Sequence, residues 1–216
     1  MTETRKLAAI LACDIVGFSR LAGADEDRTL ARLRALRGDL IDPTIAAHRG
    51  RVVKRTGDGF IVEFRSVVDA VRCAVEIQRA MVERNAGAPV DRRIEFRMGV
   101  HLGDVVEESD GDLMGDGVNI AARLESVAAP GGICLSEDAW RQVRDKVKEA
   151  FVDLGEKTLK NIARPMRVYA LGTERASAAL AGAPQSEKRE PPRLSIVVLP
   201  FVNWAVIRAK SISSTA

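Results

Sequence analysis

A predicted β-hairpin constrains this chain more than any other stretch of its sequence. Two β-prone apolar runs, residues 52–53 and 60–64, flank a Thr-Gly-Asp-Gly segment at 56–59, a pattern typical of two strands joined by a tight turn. We expect the glycines to adopt backbone conformations that a side chain would block, which presents Asp58 at the tip. Lys54 lies just before the turn. A carboxylate and an ammonium on one hairpin indicate a phosphate-handling site with a metal, although a solvated turn explains the segment equally well by itself.

The composition excludes several classes of protein. The chain has 216 residues, of which 46% are hydrophobic and 29% charged, as is usual for a globular protein with one sizeable domain. Its net charge of +3 is evenly mixed and only 4% of its residues are aromatic, so we expect no nucleic-acid partner. No apolar run approaches the roughly 20 residues that span a bilayer, and no signal peptide is recognisable. We therefore expect a cytoplasmic protein with no membrane partner.

The residues that most often bind zinc or form disulfides are few and scattered. Cys13, Cys73 and Cys134 are widely spaced and lie in apolar contexts, which predicts reduced core thiols rather than a disulfide set or a zinc site. With only His48 and His101 in the whole chain, a histidine-based metal site is also disfavoured.

A second carboxylate follows an apolar run near the N-terminus. Residues 7–13 are continuously apolar, which predicts a strand buried on both faces. Asp14 stands at the end of this run, directly before a glycine-containing turn. An acid at the mouth of a buried strand is costly unless a cation lies nearby. For Asp14 alone, a role as a cap for the following turn is an equally good interpretation.

The order of the predicted elements indicates an α+β protein with a ferredoxin-like βαββαβ core and a C-terminal extension. A helix opens at 25–27 and reaches a glycine at residue 50, with Pro43 as a possible kink. After the hairpin, a capping box at 66–69 begins a second helix. Alternating residues at 94–100 predict a half-buried strand, and we expect Gly103 to turn the chain into a separate short strand. The order is then strand, helix, strand, strand, helix, strand.

The C-terminal extension begins with a third helix. It opens at Asp116, and Asn119 and Arg123, four residues apart, share one of its faces. An ordinary surface role, with Arg123 pairing to Glu125, explains them equally well. A short strand, a capped helix and a final hairpin over 151–171 follow.

Taken together, these pieces resemble the catalytic domain of class III nucleotidyl cyclases, specifically of bacterial adenylate cyclases. The resemblance covers roughly residues 5–171. Five motifs carry it in the family order: CDIVGFS at Asp14, VVKRTGDGF at Lys54 and Asp58, RMGVHLGDVV at Arg97, DLMGDGVNIAARLE from Asp112 to Arg123, and LGEKTLKNIARPMRVYAL around Lys160.

The resemblance implies a metal-binding group. Asp14 and Asp58, helped by the backbone carbonyl of Ile15, would hold two divalent cations. Hard oxygen ligands of this kind suit Mg²⁺ or Mn²⁺. Two metals held by carboxylates activate the attacking ribose 3′-oxygen and neutralise the leaving oxygen when ATP is cyclised.

The resemblance also implies a nucleotide-binding group. Lys54 and Asp112 would read the adenine ring, with Asp112 accepting from the amino group. Asn119 would orient the ribose, Arg123 would stabilise charge on the reacting α-phosphate, and Lys160 would hold the terminal phosphates. Guanine presents a carbonyl to Asp112 where adenine presents a donor, so this group favours ATP over GTP.

In the family that the chain resembles, the two groups meet between two copies of the domain. The metal-binding group of one copy faces the nucleotide-binding group of the other in a head-to-tail homodimer. The resemblance therefore implies ATP and a second copy of this chain as partners, two equivalent sites per dimer and an inactive monomer.

The chain departs from the family pattern at two positions. Asp104 stands where some members carry a basic residue, so the triphosphate contact on the metal-bearing copy stays open, with Arg55 and Arg97 as candidates. Asn161 follows Lys160 where a glycine is common.

We expect a catalytic domain over 1–172, a flexible linker over 173–193 and a tail over 194–216 that is disordered, or truncated from a longer protein. Two alternatives to an active adenylate cyclase stay open. They are a catalytically silent cyclase domain that binds nucleotide as a regulator, and a guanylate cyclase. A diguanylate cyclase is disfavoured because its Gly-Gly-acid turn is missing.

Overall fold

A computed structural model describes residues 4–172, which contain eight strands and six α-helices. The strands are β1 Thr4–Ile15, β2 Arg51–Arg55, β3 Phe60–Phe64, β4 Phe96–Glu107, β5 Leu113–Met114, β6 Ile133–Ser136, β7 Phe151–Lys157 and β8 Met166–Leu171. The helices are α1 Phe18–Ala24, α2 Glu26–Leu36, α3 Asp42–Ala47, α4 Val67–Arg84, α5 Asp116–Val127 and α6 Glu137–Val143. The linker and tail predicted for 173–193 and 194–216 lie outside the described residues.

All eight strands belong to one sheet. Its order is β2-β3-β1-β4-β6-β8-β7, with β5 paired to β4. The first four strands are antiparallel to their neighbours, and their order is that of a ferredoxin-like core. β6 then joins parallel to β4, and the β7–β8 hairpin extends the sheet beyond it. The predicted α+β fold with a C-terminal extension is therefore confirmed.

One strand prediction was wrong. Gly103 does not turn the chain, because β4 pairs with β1 without interruption from Phe96 opposite Ile15 to Glu107 opposite Thr4. A glycine is nevertheless required there, since a Cβ on residue 103 would lie 2.5 Å from Nε2 of the buried His101. The small residue relieves crowding within a continuous strand.

The first helical region is also more complex than predicted. The Asp25 carboxylate accepts from the backbone N–H of Arg28 and so caps α2, which begins where the sequence predicts a helix to open. A π-helical segment, Arg37–Ile41, then connects α2 to α3. Pro43 follows directly, in the first turn of α3, and the backbone is helical on both sides of this junction. The irregularity therefore lies in the turn just before the proline, where the ring and the missing N–H of Pro43 disturb regular α-helical bonding.

The sheet is buried on both faces along β1, as the apolar run predicts. One set of alternate residues, including Leu11 and Ile15, packs with α2 and α4. The other set, Ala8, Ile10 and Ala12, packs beneath α5. Asp14 continues the second set and so lies on the face of the sheet that carries α5.

The three cysteines lie free in this core, as predicted. All of them are buried and none forms a disulfide. Burial raises the pKa of the Cys73 and Cys134 thiols to about 12, so these two thiols stay protonated at neutral pH. Within residues 4–172, no helix combines the length and the apolarity that crossing a membrane requires.

Gly99 lets α5 pack directly on β4. A Cβ at this position would lie 2.3 Å from the Ala121 carbonyl oxygen and 2.3 Å from the Glu125 nitrogen. Both are helix backbone atoms, which cannot rotate away. We therefore expect Gly99→Ala to lower the free energy of unfolding by about 2 kcal/mol, measured by urea denaturation.

The matched control is Gly23→Ala in α1, where a new Cβ meets nothing within 4 Å. That change is expected to raise the stability slightly, since alanine is the better helix former. Equal stability losses in the two variants would contradict the close approach of α5 to β4.

Candidate active site

The tip of the β2–β3 hairpin packs against the end of β1. Thr56 N–H donates to the Gly59 carbonyl at 3.0 Å, and Gly59 N–H donates to Thr56 Oγ1 at 2.9 Å. Gly57 and Gly59 both have ordinary negative φ angles, so the expected unusual glycine conformation was wrong. Gly59 is required for another reason: a Cβ on it would lie 2.3 Å from the Cys13 carbonyl oxygen. This contact brings Asp58 next to the end of β1.

Asp14 and Asp58, the two predicted metal ligands, lie close together. Partial burial raises the pKa of the Asp14 carboxyl, and the negative charge of Asp58 with a hydrogen bond between the two raises it further. The Arg97 guanidinium, 3.2 Å from Asp14 Oδ2, and the Ile15 backbone N–H act in the opposite direction. Two half-buried carboxyls that repel each other form a site that a cation would stabilise.

The donor set fits a divalent cation such as Mg²⁺ or Mn²⁺. Among residues 4–172, no three His, Cys, Asp or Glu side chains are grouped as metal ligands, so the site rests on two carboxylates. Hard cations of this type complete their coordination with water and phosphate oxygens. Such a site therefore matches a metal that arrives with a nucleotide.

Arg97 also contacts a third carboxyl, that of Glu125, which was not predicted as a site residue from the sequence. Its Nε lies 3.2 Å from Glu125 Oε1 on α5, yet both atoms are buried without a well-directed hydrogen bond. Burial raises the pKa of Glu125 to about 7, with Arg97 opposing the shift and the charges of Asp14 and Asp58 adding to it. Glu125 therefore pairs with Arg97. The alternative in which Arg123 pairs with Glu125 on the surface was wrong.

One sequence signal does point to Glu125. It continues the buried stripe of α5 formed by Gly117, Ala121 and Leu124, and a charged residue in such a stripe is unusual. Glu125 itself is only 8% exposed.

The two candidates for the open triphosphate contact are engaged elsewhere in this chain. Arg55 pairs with Asp42 at 2.9 Å, and Arg97 pairs with Asp14 and Glu125. Asp104, the residue that departs from the family pattern, pairs with Arg5 at 3.1 Å. Neither Arg55 nor Arg97 is therefore available on this chain as the triphosphate contact.

The structure brings Lys54 and Asp112 together, although 58 residues separate them. Lys54 Nζ lies 3.0 Å from Asp112 Oδ2, and this hydrogen bond holds the pKa of Asp112 below its usual range. The other carboxylate oxygen, Oδ1, accepts from the Leu113 N–H at 2.8 Å. An ammonium and a carboxylate are thus presented side by side at the rim of the sheet.

Asn119 and Arg123 lie on α5, one turn apart. Asn119 is exposed and Arg123 is half-buried. In the part of the chain that the structure describes, Arg123 forms no salt bridge and the Asn119 side chain forms no hydrogen bond. α5 starts directly after Gly115, whose φ of 108° strongly favours glycine. Both side chains are therefore free to contact a ligand.

Lys160 is exposed in the turn between β7 and β8. Buried Leu159 anchors this turn, and its carbonyl accepts from the Ile162 N–H at 3.1 Å. Asn161 has a φ of 63°, in the left-handed region. Asparagine is one of the few residues other than glycine that adopt this conformation readily. The departure from the family pattern at residue 161 therefore preserves a turn that suits glycine.

The eight predicted residues form separate groups on this chain. The metal group lies at the hairpin tip, the Lys54–Asp112 pair at the sheet rim, and the remaining three residues on α5 and the β7–β8 turn. A cleft of about 500 Å³, bounded by Asp116, Glu137 and Arg164 among others, contains none of the eight.

The fold is that of a class III nucleotidyl cyclase domain. The chain belongs to the family described as the adenylate and guanylate cyclase catalytic domain, which it matches over residues 2–173. Class III cyclase domains are metal-dependent, in agreement with the two-carboxylate site.

One curated relative is the Rhizobium meliloti (strain 1021) protein "Putative adenylate cyclase 3". It is 46% identical over 213 residues, which cover 93% of this chain and 34% of that protein. The chain thus spans about a third of the length of that relative.

Two solved structures have a similar fold. The adenylate/guanylate cyclase/hydrolase of Silicibacter pomeroyi is 45% identical with a TM-score of 0.75, and the match covers 80% of this chain and 99% of that one. The adenylyl cyclase CyaB of P. aeruginosa is 24% identical with a TM-score of 0.70, over 80% of this chain and 97% of that one. The second likeness concerns the fold alone.

Proposed function

We propose that this chain is a cytoplasmic adenylate cyclase domain that converts ATP to 3′,5′-cyclic AMP and pyrophosphate. The Lys54–Asp112 pair carries the proposal. Its ammonium and carboxylate lie 3.0 Å apart, so one donor and one acceptor stand side by side, as a base edge requires. Asp112 accepts from the adenine amino group and Lys54 donates to a ring nitrogen. Guanine presents the opposite pattern at these positions, which opposes GTP.

The reaction forms a bond between the ribose 3′-oxygen and the α-phosphorus and breaks the bond to pyrophosphate. Asp14 and Asp58, with the Ile15 carbonyl, would hold two Mg²⁺ or Mn²⁺ ions. When bound, such ions activate the attacking oxygen and neutralise the leaving one. Asp14 is suited to this role because its partly buried carboxyl lies beside that of Asp58, and a cation would offset the repulsion between the two.

The nucleotide-binding side chains position the substrate and stabilise charge. Asn119 orients the ribose so that its 3′-oxygen lines up with the α-phosphorus. Arg123 stabilises the charge that develops on the α-phosphate, a type of contact whose loss costs about 10²–10³ in rate. Lys160 holds the terminal phosphates, and the exposed β7–β8 turn gives its side chain room to reach them.

The complete site forms between two copies of the chain. The metal group of one copy faces the base-reading pair, α5 and Lys160 of the other, which gives a head-to-tail homodimer with two equivalent sites. The distribution of the eight residues over the hairpin tip, the base-reading pair, α5 and the β7–β8 turn of one chain supports this arrangement.

A turnover assay tests the proposed activity. The purified protein is incubated with ATP or GTP and with Mg²⁺ or Mn²⁺, and both cyclic nucleotides are quantified. We expect cyclic AMP to form at more than about tenfold the rate of cyclic GMP, because the wrong base leaves Lys54 and Asp112 unpaired.

Two outcomes would contradict the proposal. Equal or faster cyclic GMP formation would assign a guanylate cyclase. Nucleotide binding without turnover under any of these metal conditions would assign the silent regulatory domain.

A further inference from the structure

A network of four charged side chains crosses the face of the sheet that carries α5. Arg51 on β2 donates to Glu63 Oε2 through Nε at 2.9 Å and through Nη2 at 2.6 Å. The same Nη2 lies 3.0 Å from Glu107 Oε1 on β4. Lys6 on β1 pairs with Glu63 at 2.6 Å and with Glu107 at 2.7 Å. Two cations and two carboxylates thus tie together four neighbouring strands.

Arg51 has one further contact, and it leaves the network. Its Nη1 donates to the carbonyl oxygen of Gly111 at 2.7 Å. Gly111 directly precedes Asp112, the acceptor of the base-reading pair. A Cβ on residue 111 would lie 3.2 Å from Arg51 Nη1, and its φ of 85° independently favours glycine. The guanidinium therefore packs closely against the backbone that carries Asp112.

The loop that leads to Asp112 is closed at its ends by the pairing of Glu107 with Leu113. Its other backbone bonds stay within the loop: Gly111 N–H donates to the Glu108 carbonyl at 2.9 Å, and Glu108 N–H donates to the Asp112 carbonyl at 3.0 Å. Apart from the Lys54–Asp112 contact itself, the bond from Arg51 is the side-chain bond among the described residues that ties the loop to β2, the strand that also carries Lys54 three residues further on. One strand therefore positions both members of the base-reading pair.

We propose that Arg51 is a specificity-determining positioning residue that holds the 108–112 loop so that Asp112 stays in register with Lys54. This inference rests on the proposed adenine-reading role of that pair. Arg51 acts through Gly111 and does not itself contact the nucleotide. Glu63, whose side chain is only 12% exposed, and Glu107 hold the guanidinium plane, so that Nη1 points at the loop.

Geometry, rather than charge, is essential to this role. Arg51 uses three different nitrogens to contact three partners at once, and the planar fork of arginine suits that task. A lysine would keep the positive charge but offers a single nitrogen. We therefore expect Arg51→Lys to behave more like Arg51→Ala than like the wild type.

The test compares steady-state kinetics with ATP and GTP for the wild type, Arg51→Ala and Arg51→Lys. Displacement of Asp112 is expected to raise KM for ATP and lower the ATP-to-GTP ratio of kcat/KM, each by about tenfold, while kcat for ATP changes little. Calorimetric binding of a non-hydrolysable ATP analogue is expected to weaken by a similar factor. The control is Arg79→Ala, which removes the contact of an exposed arginine on α4 with Glu149 and is expected to change none of these values.

The outcomes separate this inference from the proposed function. A wild type that does not prefer ATP would overturn both. A wild type that prefers ATP, with an unchanged ATP-to-GTP ratio in both Arg51 variants, would overturn the role of Arg51 alone, as would full wild-type behaviour of Arg51→Lys. Circular dichroism checks the fold, and if Arg51→Ala does not fold, Arg51→Lys decides the question.

Discussion

Asp58→Asn and Asn119→Ala are each expected to lose at least about 10²-fold in cyclic AMP formation, and an equimolar mixture is expected to regain activity. In the proposed homodimer each variant disables a different half of the shared site, so a mixed dimer would keep one intact site out of two. Random pairing makes half of the dimers mixed, and the mixture should reach about a quarter of wild-type activity. Two affinity tags allow the mixed dimer to be purified and assayed separately.

Two matched mixtures serve as controls. Asp14→Asn with Asp58→Asn disables the metal group in both variants, and Asn119→Ala with Arg123→Ala disables the nucleotide group in both. Neither mixture has a route to an intact site, so both are expected to stay inactive. An inactive purified dimer of Asp58→Asn with Asn119→Ala would rule out the shared site, and recovery in either control would show that the residues are grouped wrongly.

The order of the core strands and helices along the chain could be predicted because each element is marked by a pattern in its own residues. The apolar run at 7–13 and the hairpin around Asp58 each depend on neighbouring residues only. Alternation and turn residues report on burial within a few positions, and that is sufficient to place strands and helices in order.

Features that depend on close approach between distant elements could not be predicted in the same way. Gly57 and Gly59 look alike in the sequence, but only Gly59 lies against the backbone of β1. Gly103 resembles a turn glycine, yet it makes room for the His101 ring inside a continuous strand. A glycine can be required because the backbone adopts an unusual conformation or because another atom leaves no room for a side chain. The sequence alone does not distinguish these two reasons, whereas the fold does.

The candidate site follows the same division. The eight predicted residues came from the resemblance to the cyclase family, whose motifs are short local stretches of sequence, and their roles stay predictions. Glu125 and Arg51 were missed because the contacts that single them out span 28 residues or more: Glu125 contacts Arg97, and Arg51 contacts Gly111. Their importance depends on which side chains the sheet brings together, and the motif spacing carries no record of that.

Glu125→Gln is expected to remove a loss of stability that the wild type undergoes as the pH rises from 4.5 to about 7. The folded protein raises the pKa of Glu125 from 4.5 to about 7, chiefly through burial, so the folded state binds this proton more tightly than the unfolded state. The stabilisation is therefore fully present below pH 4.5 and is lost as the pH rises through about 7. A shift of this size corresponds to about 3 kcal/mol. Glutamine keeps the neutral shape and cannot ionise.

Urea denaturation at several pH values, with EDTA to exclude metals, measures the effect as the difference between wild type and variant. This difference separates the effect of Glu125 on stability from the effects of other titrating groups. The raised pKa of Asp14 also makes the protein less stable as the pH rises. Burial lowers the pKa of His101 to about 4, which makes the protein more stable as the pH rises. Glu137→Gln, which alters an exposed pair with Arg141 on α6, is the control and should leave the pH profile unchanged. Parallel profiles for the wild type and Glu125→Gln would mean that Arg97 keeps Glu125 ionised throughout this range, and that the pair is an ordinary salt bridge.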